Sequence, residues 1–549
     1  MIKKRWLVLD ENGKDLKEVL IKNRNIKDKE AFFKPHLYKL TSPDKIFSDL
    51  EKAVERIKKA IKNKELVYIY GDFDVDGITA TAILWETIDF LGGKCLPYIP
   101  HREKEGFGIN ADAMKSLAKE GAKLIISVDC GITAVEEAEI AKKLSVDLII
   151  TDHHTLQKTL PKPFALLHTE ALAGSGVAFM LAKALLESFS KKDDEQLYKN
   201  LELATIGTLA DMVPLTGDNR IISANGFHNL AKSSRIGLRV LYDEASLTKK
   251  IGPYEVGFII APRLNAAGRM EHALDSLRLL LTRNKKRARE LAVKLSETNR
   301  QRQEATANAL SHARETVNGD GISKMIIVHH TSYPQGVIGL VAGRLADEFY
   351  RPTIVISEVK PVSKGSARSI SGFNIIDAIG SASKHLTTHG GHPMAAGFSL
   401  APKKIAAFKK QILDYAEKNL KEQDLTPTLK IDTILGKDLL GYKTFGVINE
   451  FEPFGIGNPE PVFLTKNLGI ADIRRLGTNG KHLRMKLRTP DYFVFDAIGF
   501  SMGEENVKVG DKLDVAFNLK EDTWGGNRRL ELKIKDFRHS KWRGAGAAS

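Results

Sequence analysis

Three aspartates stand at alternate positions in YIYGDFDVDGITA: Asp72, Asp74 and Asp76. In extended backbone alternate side chains share one face, so this spacing gathers three negative charges. Unpaired carboxylates so placed repel and raise one another's pKa, and a bound divalent cation resolves the conflict. A solvated acidic turn is the bland alternative for a lone D-x-D. The string also opens like an EF-hand loop, but the twelfth position counted from Asp72, where that loop needs a bidentate Glu, is Ile83.

Further along lie Asp129 in SVDCGI, then Asp152, His153 and His154 in TDHH, then Asp211 in LADMVPL. Gly131 permits close backbone approach beside Asp129. Singly, each has an ordinary reading: a helix cap for Asp129 or Asp211, a structural histidine for either imidazole. Together they form a set of oxygen ligands with one or two imidazoles and no thiolate, which suits Mn²⁺ or Mg²⁺, histidine favouring Mn²⁺. The carboxylates exceed the need of one ion. Two ions roughly 3.5–4 Å apart fit phosphoryl hydrolysis.

The surrounding sequence predicts elements that would position these groups. LVYIY (Leu66 to Tyr70), KLIISVD (Lys123 to Asp129) and DLIITDHH (Asp147 to His154) are short apolar runs, and helical stretches follow the first two (TATAILWETIDFL, Ala134 to Leu144). That alternation predicts a parallel α/β sheet, which binds ligands beyond the carboxyl ends of its strands. Residues 171–280 read as mostly helical, with APRLNAAGRM as a loop. A polar segment from Asn284 to about Val317 reads as a solvated connecting helix. A second α/β unit starts at Met325 with MIIVHH, VIGLVAGRLADEF and TIVIS, and ends in the glycine-rich THGGHPMAAGFS. After about Asp424 the alternating segments LRMKLR, DYFVFDAIGF, KLDVAFNLK and RRLELKIKDF predict a compact β-barrel, an OB-fold being one candidate. TWGGN (Thr523 to Asn527) reads as a hairpin turn, and the terminal WRGAGAAS as disordered.

The fold class is therefore α/β: a parallel-sheet catalytic domain, a long helix, a second α/β domain and an OB-like barrel. The expected boundaries are an N-terminal segment 1–64, then 65–283, 284–318, 319–424, 425–540 and a tail 541–549. The length of 549 residues accommodates several such cores. Lys plus Arg number 83 against 68 Asp plus Glu, a net +15 that suits a polyanionic partner or an anionic membrane surface. Cys95 and Cys130 are the two cysteines, which excludes a disulfide scaffold and a cysteine zinc site. With no signal-peptide pattern at the start and no apolar run of membrane-spanning length, a soluble cytoplasmic protein is expected.

GDFDVDG, SVDCGI, TDHH and LADMVPL, in this order and spacing, resemble the four motifs of the DHH phosphoesterase superfamily. GSARSISGFNI (Gly365 to Ile375) and GGHPMAAGF (Gly390 to Phe398) are similar to its DHHA1 companion domain. The resemblance runs from about residue 65 to the end, and is greatest to the RecJ family of bacterial single-strand-specific 5′→3′ DNA exonucleases. It implies that Asp72, Asp74, Asp76, Asp129, His153 and Asp211 hold two Mn²⁺ or Mg²⁺ ions, and that Asp74, Asp76, Asp129, His153, His154 and Asp211 carry catalysis. His154 would touch phosphate or support the ligands.

A nuclease also needs groups that hold its substrate. Arg102 lies on a loop after an α/β strand, Arg263 and Arg269 flank Asn265 in APRLNAAGRM, and Ser366 and Arg368 sit in GSARS, read as a phosphate-wrapping loop. The resemblance implies that Arg102, Ser366 and Arg368 grip the 5′-terminal phosphate and that His392, in the GGH loop, contacts the strand near the cut. In the barrel, Arg484, Lys486 and Arg488 lie beside Tyr492, Phe493 and Phe495, where base stacking competes with a core role. The implied function is degradation of single-stranded DNA to 5′-mononucleotides in recombination and repair. Duplex would be excluded, and the protein would act as a monomer alongside a helicase and single-strand-binding protein. Two rivals remain: a phosphodiesterase for short oligonucleotides or cyclic dinucleotides, and a non-catalytic single-strand-binding relative.

Overall fold

The protein, seen in a computed structural model, is described over residues 2–189, 194–247, 251–522 and 528–540. Its chain divides into two units: Asp28–Ala305 with Pro453–Asn458, and Met1–Lys27 with Thr306–Glu452 and Pro459–Ser549. The segment 1–64 is thus split. Strand β1 (Arg5–Val8) pairs in parallel with Thr428–Ile431. The helix Leu50–Lys62 instead packs Ala53, Ile57, Ala60 and Ile61 into the core under the next strand.

That strand, β2 (Leu66–Gly71), sends Val67 and Ile69 into one core and Tyr68 and Tyr70 into another. A run apolar at every position is what a strand buried on both faces requires. With β3 (Lys94–Tyr98), β4 (Ala122–Val128), β5 (Asp147–Asp152) and β6 (Ala165–His168) it makes a five-stranded sheet in the order β3-β2-β4-β5-β6. Every pairing in it is parallel. The crossover helix Val75–Phe90 packs on the helices Gly174–Ser188 and Asp194–Ala210 and is buried nearly all round. Its buried Thr79, Thr81 and Thr87 hydroxyls donate to carbonyls one turn back, so none is stranded in the core.

APRLNAAGRM, expected as a loop, is the helix Ala261–Met270. Ala261, Leu264 and Ala267 recur every third residue on its buried side, and Pro262, which has no N–H to give, stands where the π-turn Val256–Ile260 runs into the helix. The polar segment that follows is the 36-residue helix Lys285–Asp320.

In the other unit, β7 (Ile326–His330), β8 (Thr353–Ser357), β9 (Ser363–Arg368), β10 (Thr388–His392) and β11 (Ala395–Leu400) form a sheet in the order β10-β11-β9-β8-β7, parallel only between β7 and β8. Both GSARS and GGH, expected as loops, are therefore strands. The reason is alternation: Ala367 is buried in the core and Gly365 lies under the Phe398 ring, while Ser366 and Arg368 point to the opposite face. Strands β12 (Thr428–Ile431) and β13 (Thr433–Ile434) lead into a barrel of β14 (Phe463–Leu476), β15 (His482–Arg488), β16 (Val494–Gly499), β17 (Lys512–Asp522) and β18 (Arg529–His539). Its order is β14-β15-β16-β18-β17, closed by pairing of β14 with β17. Leu483, Met485 and Leu487 point inward, alternating with Arg484, Lys486 and Arg488. The TWGGN turn and the WRGAGAAS tail lie outside the described residues. Among the described residues no helix is long and apolar enough to cross a membrane.

Candidate active site

The chain leaves β2 at Gly71 and turns directly into a helix, so the three alternate aspartates do not share an extended face. Asp72 occupies the turn and is 4% exposed. Asp74 is the N-cap of Val75–Phe90, its Oδ1 accepting from the amides of Asp76 at 2.9 Å and Gly77 at 3.1 Å. Asp76 lies inside the first helical turn, 1% exposed. Its Oδ2 and Oδ1 accept from the amides of Gly174 at 2.7 Å and Ser175 at 3.0 Å, the first residues of another helix. A helix N-terminus thus compensates part of the charge that burial would otherwise make costly.

Asp129 follows β4 with a left-handed φ of 60° and is 2% exposed. His153 follows β5, and its Nε2 lies 3.1 Å from Asp129 Oδ1, 3.7 Å from Asp211 Oδ2 and 3.8 Å from Asp76 Oδ2. Asp211 comes just after the helix Asp194–Ala210. Four separate connections therefore deliver one cluster at the carboxyl end of the sheet. Its donors fall into overlapping sets, Asp72–Asp74–Asp129, Asp76–His153–Asp211 and Asp129–His153–His154, the atoms of each within 4.8 Å of one another.

Asp72 Oδ1, Asp129 Oδ1 and His153 Nε2 are buried without a hydrogen-bond partner. Such atoms are expensive unless something else satisfies them, and carboxylate and imidazole are the donors a hard or borderline divalent cation takes. The residues fit a metal centre. Burial and neighbouring charges agree with this. Burial and Asp74 hold Asp72 well above the carboxylate range, and burial and Asp76 raise Asp74. Asp129 is raised by burial and then by Asp76, and Asp211 is pushed up to about 8 by burial and the charges of Asp76 and Asp74. Burial keeps His153 below the usual imidazole value, favouring the neutral form that ligates.

Asp152 belongs to the support. Its Oδ1 accepts from the amides of His153 and His154 and from His154 Nδ1 at 2.7 Å, and its Oδ2 from the Ile132 amide at 2.8 Å. Burial opposes ionisation of Asp152, but these bonds outweigh it and keep the carboxyl below its ordinary range. For His154 burial is likewise outweighed: the bond and charge of Asp152 push it up to about 9. The backbone carbonyl of His154 accepts from His168 Nε2 at 2.7 Å.

Around this cluster Arg102 stacks over Phe73, 5.1 Å from the ring centroid; burial lowers its pKa against the opposing charges of Asp72 and Asp74. Arg269 bears electrostatically on Asp74. Asn265 does not reach outward as a free polar group: its Oδ1 accepts from the Val75 amide at 3.1 Å and pins the start of the helix Val75–Phe90. Gly268 makes room for the Phe73 carbonyl. Arg263 turns away, donating to the Ile259 carbonyl at 2.9 Å and to Ser296 Oγ at 3.4 Å.

In the other unit, Arg368 donates to Ser366 Oγ at 3.4 Å and to the Ala367 carbonyl at 2.8 Å. A Cβ at Gly339, in the first turn of the helix Ile338–Phe349, would lie 3.0 Å from Ser366 Oγ and 3.3 Å from Arg368 Nη2. Hydroxyl, guanidinium and helix N-terminus thus share one small cradle suited to an anion. His392 is exposed at the end of β10. On the barrel, Tyr492 and Phe493 are exposed, Arg488 lies 5.1 Å from the Tyr492 centroid, and Phe495 is half-buried.

Three positions absent from the motif reading complete the centre. A Cβ at Gly174 would overlap the Asp129 carboxylate, and one at Gly207 would overlap Ser175 Oγ and Asp76 Oδ1. Ser175 itself lends Asp76 its amide. The available signal was glycine inside helical sequence, which is unfavourable unless space demands it.

Three family models match: "DHH family, N-terminal domain" over residues 66–208, "DHHA1 domain" over 322–418 and "RecJ OB domain" over 431–536. The chain is 37% identical to the single-stranded-DNA-specific exonuclease RecJ of Bacillus subtilis over 508 residues, covering 90% of this chain and 64% of that protein. It thus spans a little under two thirds of that relative. The Haemophilus influenzae protein of the same name is 30% identical, with 91% of this chain and 92% of the relative covered. Among solved structures, RecJ from Thermus thermophilus in complex with Mn²⁺ superposes with a TM-score of 0.85 at 30% identity, over 98% of this chain and 80% of that one.

Proposed function

Because this chain belongs to the RecJ family, we propose that it is a metal-dependent exonuclease that degrades single-stranded DNA from its 5′ end to 5′-mononucleotides. The observation that carries this reading is the convergence of three buried ligand atoms without hydrogen-bond partners, Asp72 Oδ1, Asp129 Oδ1 and His153 Nε2, among the carboxylates of Asp74, Asp76 and Asp211. The likeness to a relative solved with Mn²⁺ supports it further.

Two Mn²⁺ or Mg²⁺ ions, when bound, supply charge stabilisation at the scissile phosphate and an acidified water. The protein's own residues do the rest. The N-terminal amides at Gly174 and Ser175 hold Asp76, and Asp74 is fixed by capping its own helix, so the ligand shell is set before substrate arrives. His154, kept cationic through Nδ1 by Asp152, places a positive charge beside the acidic cluster, where a phosphate would sit. Arg102, braced against Phe73, adds a second cation facing the acidic cluster. Ser366, Arg368 and the helix turn at Gly339 offer a cradle of the kind that takes a terminal phosphate and so sets polarity. His392 would contact the strand near the cut.

The reading places the enzyme in the cytoplasm, working in recombination and repair beside a helicase and a single-strand-binding protein. Its test is digestion of a single strand labelled at either end, with Mn²⁺ or with EDTA. Mononucleotides released first from the 5′ end, only with metal, are expected. Asp129→Ala should abolish cleavage and leave strand binding largely intact. Survival of long strands with cleavage of di- to tetranucleotides alone would overturn it.

A further inference from the structure

The helix that carries Arg269 begins well upstream. Pro253–Glu255, a π-turn Val256–Ile260 and Ala261–Met270 follow one another without a break. Val256, Ile260, Leu264 and Ala267 are buried. Tyr254, Phe258, Pro262, Asn265 and Arg269 recur at intervals of three and four residues on the side that is not. At one end of that stripe are the groups already described: Asn265 bonded to the Val75 amide and Arg269 bearing on Asp74.

At the other end are two aromatics with no evident structural task. Tyr254 is 63% and Phe258 71% exposed, an unusual state for large apolar rings set side by side. Their rings lie nearly parallel, centroids 5.1 Å apart with an interplanar angle of 25°. A Cβ at Gly257 between them would meet no atom within 4 Å, so the shelf is open. Pro262 lacks the N–H that an unbroken α-helical ladder would use, and a π-turn precedes it; such turns recur at functional sites. At ~1.5 Å per residue, Phe258 and Tyr254 lie about 16 and 22 Å along the helix from Arg269. That is the reach of roughly five to seven nucleotides stacked at ~3.4 Å.

We propose that Tyr254 and Phe258 form a base-stacking platform that holds the uncleaved part of a single-stranded nucleic acid several nucleotides away from the metal centre. The proposal rests on the exonuclease reading. A single strand is the occupant that the stripe favours: the Arg269 cation at the reactive end suits its backbone, and two parallel rings further out offer a face that any base can use. The net charge of +15 is complementary to such a polyanion.

The test compares wild type, a Tyr254→Ala/Phe258→Ala double variant and Phe258→Trp, all as full chains with Mn²⁺. For a long strand the double variant should raise KM about tenfold with kcat unchanged, Phe258→Trp should match wild type, and KM for a trinucleotide should not move. An unchanged KM for the long strand, or an equal rise for the trinucleotide, would overturn the platform. A second readout needs no turnover. In EDTA, strands carrying 2-aminopurine at successive positions should be quenched by wild type at one or two positions, and the double variant should lose that quenching. Quenching that persists would overturn the proposal, as would wild-type self-association abolished by the double variant. If wild type cleaves nothing yet quenches at positions the variant loses, the platform stands and the exonuclease reading fails.

Discussion

Asp152 and His154 close on each other two residues apart, Oδ1 accepting from Nδ1 at 2.7 Å. The same carboxylate also gathers the amides of Ile132, His153 and His154. One buried acid outside the candidate donor sets therefore fixes the loop carrying both histidines and raises the pKa of one of them.

Asp152→Asn replaces an acceptor oxygen by an amide that must face a donor. Metal affinity should fall about ten- to a hundredfold, the range for removing a group that orients a ligand. Calorimetric titration with Mn²⁺ checks this. An unchanged affinity would mean that His153 is positioned without Asp152.

The pH dependence follows from the raised carboxyls. A group whose folded pKa exceeds its unfolded value binds protons more tightly when folded, so the metal-free protein loses stability as pH rises from ~3.9 toward the Asp211 value of about 8. In EDTA the Tm should be lower at pH 8 than at pH 6, and Mn²⁺ should raise it more at pH 8. Mn²⁺ binding should release protons, visible as a dependence of the binding enthalpy on buffer. Equal affinity at both pH values would refute the shifts.

Gly207→Ala improves helix propensity yet places a Cβ onto Ser175 Oγ, Asp76 Oδ1 and Thr79 Oγ1. Overlap in a packed site costs ~1–3 kcal/mol, more than the ~1 kcal/mol gained from propensity. A lowered Tm and weaker Mn²⁺ binding are expected together. A more stable variant with normal metal affinity would show that the helices can separate without harm.

The two arginines of Ala261–Met270 should behave differently. Arg269→Ala should weaken strand binding and lower the slope of log affinity against log salt by about one, as for a lost phosphate contact. Arg263, bonded to Ile259 and Ser296, should leave that slope unchanged when replaced by Ala. Fluorescence titration of a labelled strand across a salt series separates them.

Several candidate ligands were legible because Asp72, Asp129 and His153 come just after β2, β4 and β5, where apolar runs announce themselves and an acid or histidine stands out, whereas Asp211 follows a helix and showed only as an acid in an apolar stretch. What holds them was not. Gly174 and Gly207 matter for the volume they leave empty, and their neighbours come from elements distant in sequence. The reading of GSARS and GGH as loops rested on small residues, yet in a strand beside a large ring such as Phe398 smallness is the fitting requirement. Arg263 and Arg269 look equivalent in the sequence. Six positions is not a whole number of helical turns, so the two side chains leave the helix in different directions.

Strand β1 has a consequence for synthesis. Its partner lies 423 residues downstream, since Arg5 pairs with Thr428. At ~5–20 residues per second a ribosome takes about 20–85 s to make the intervening chain. For that time the first strand is an unpaired edge, while the sheet of β2 to β6 can already assemble. Charge is one way natural proteins keep such an edge from pairing with the wrong neighbour, and Lys3, Lys4 and Arg5 stand at its start.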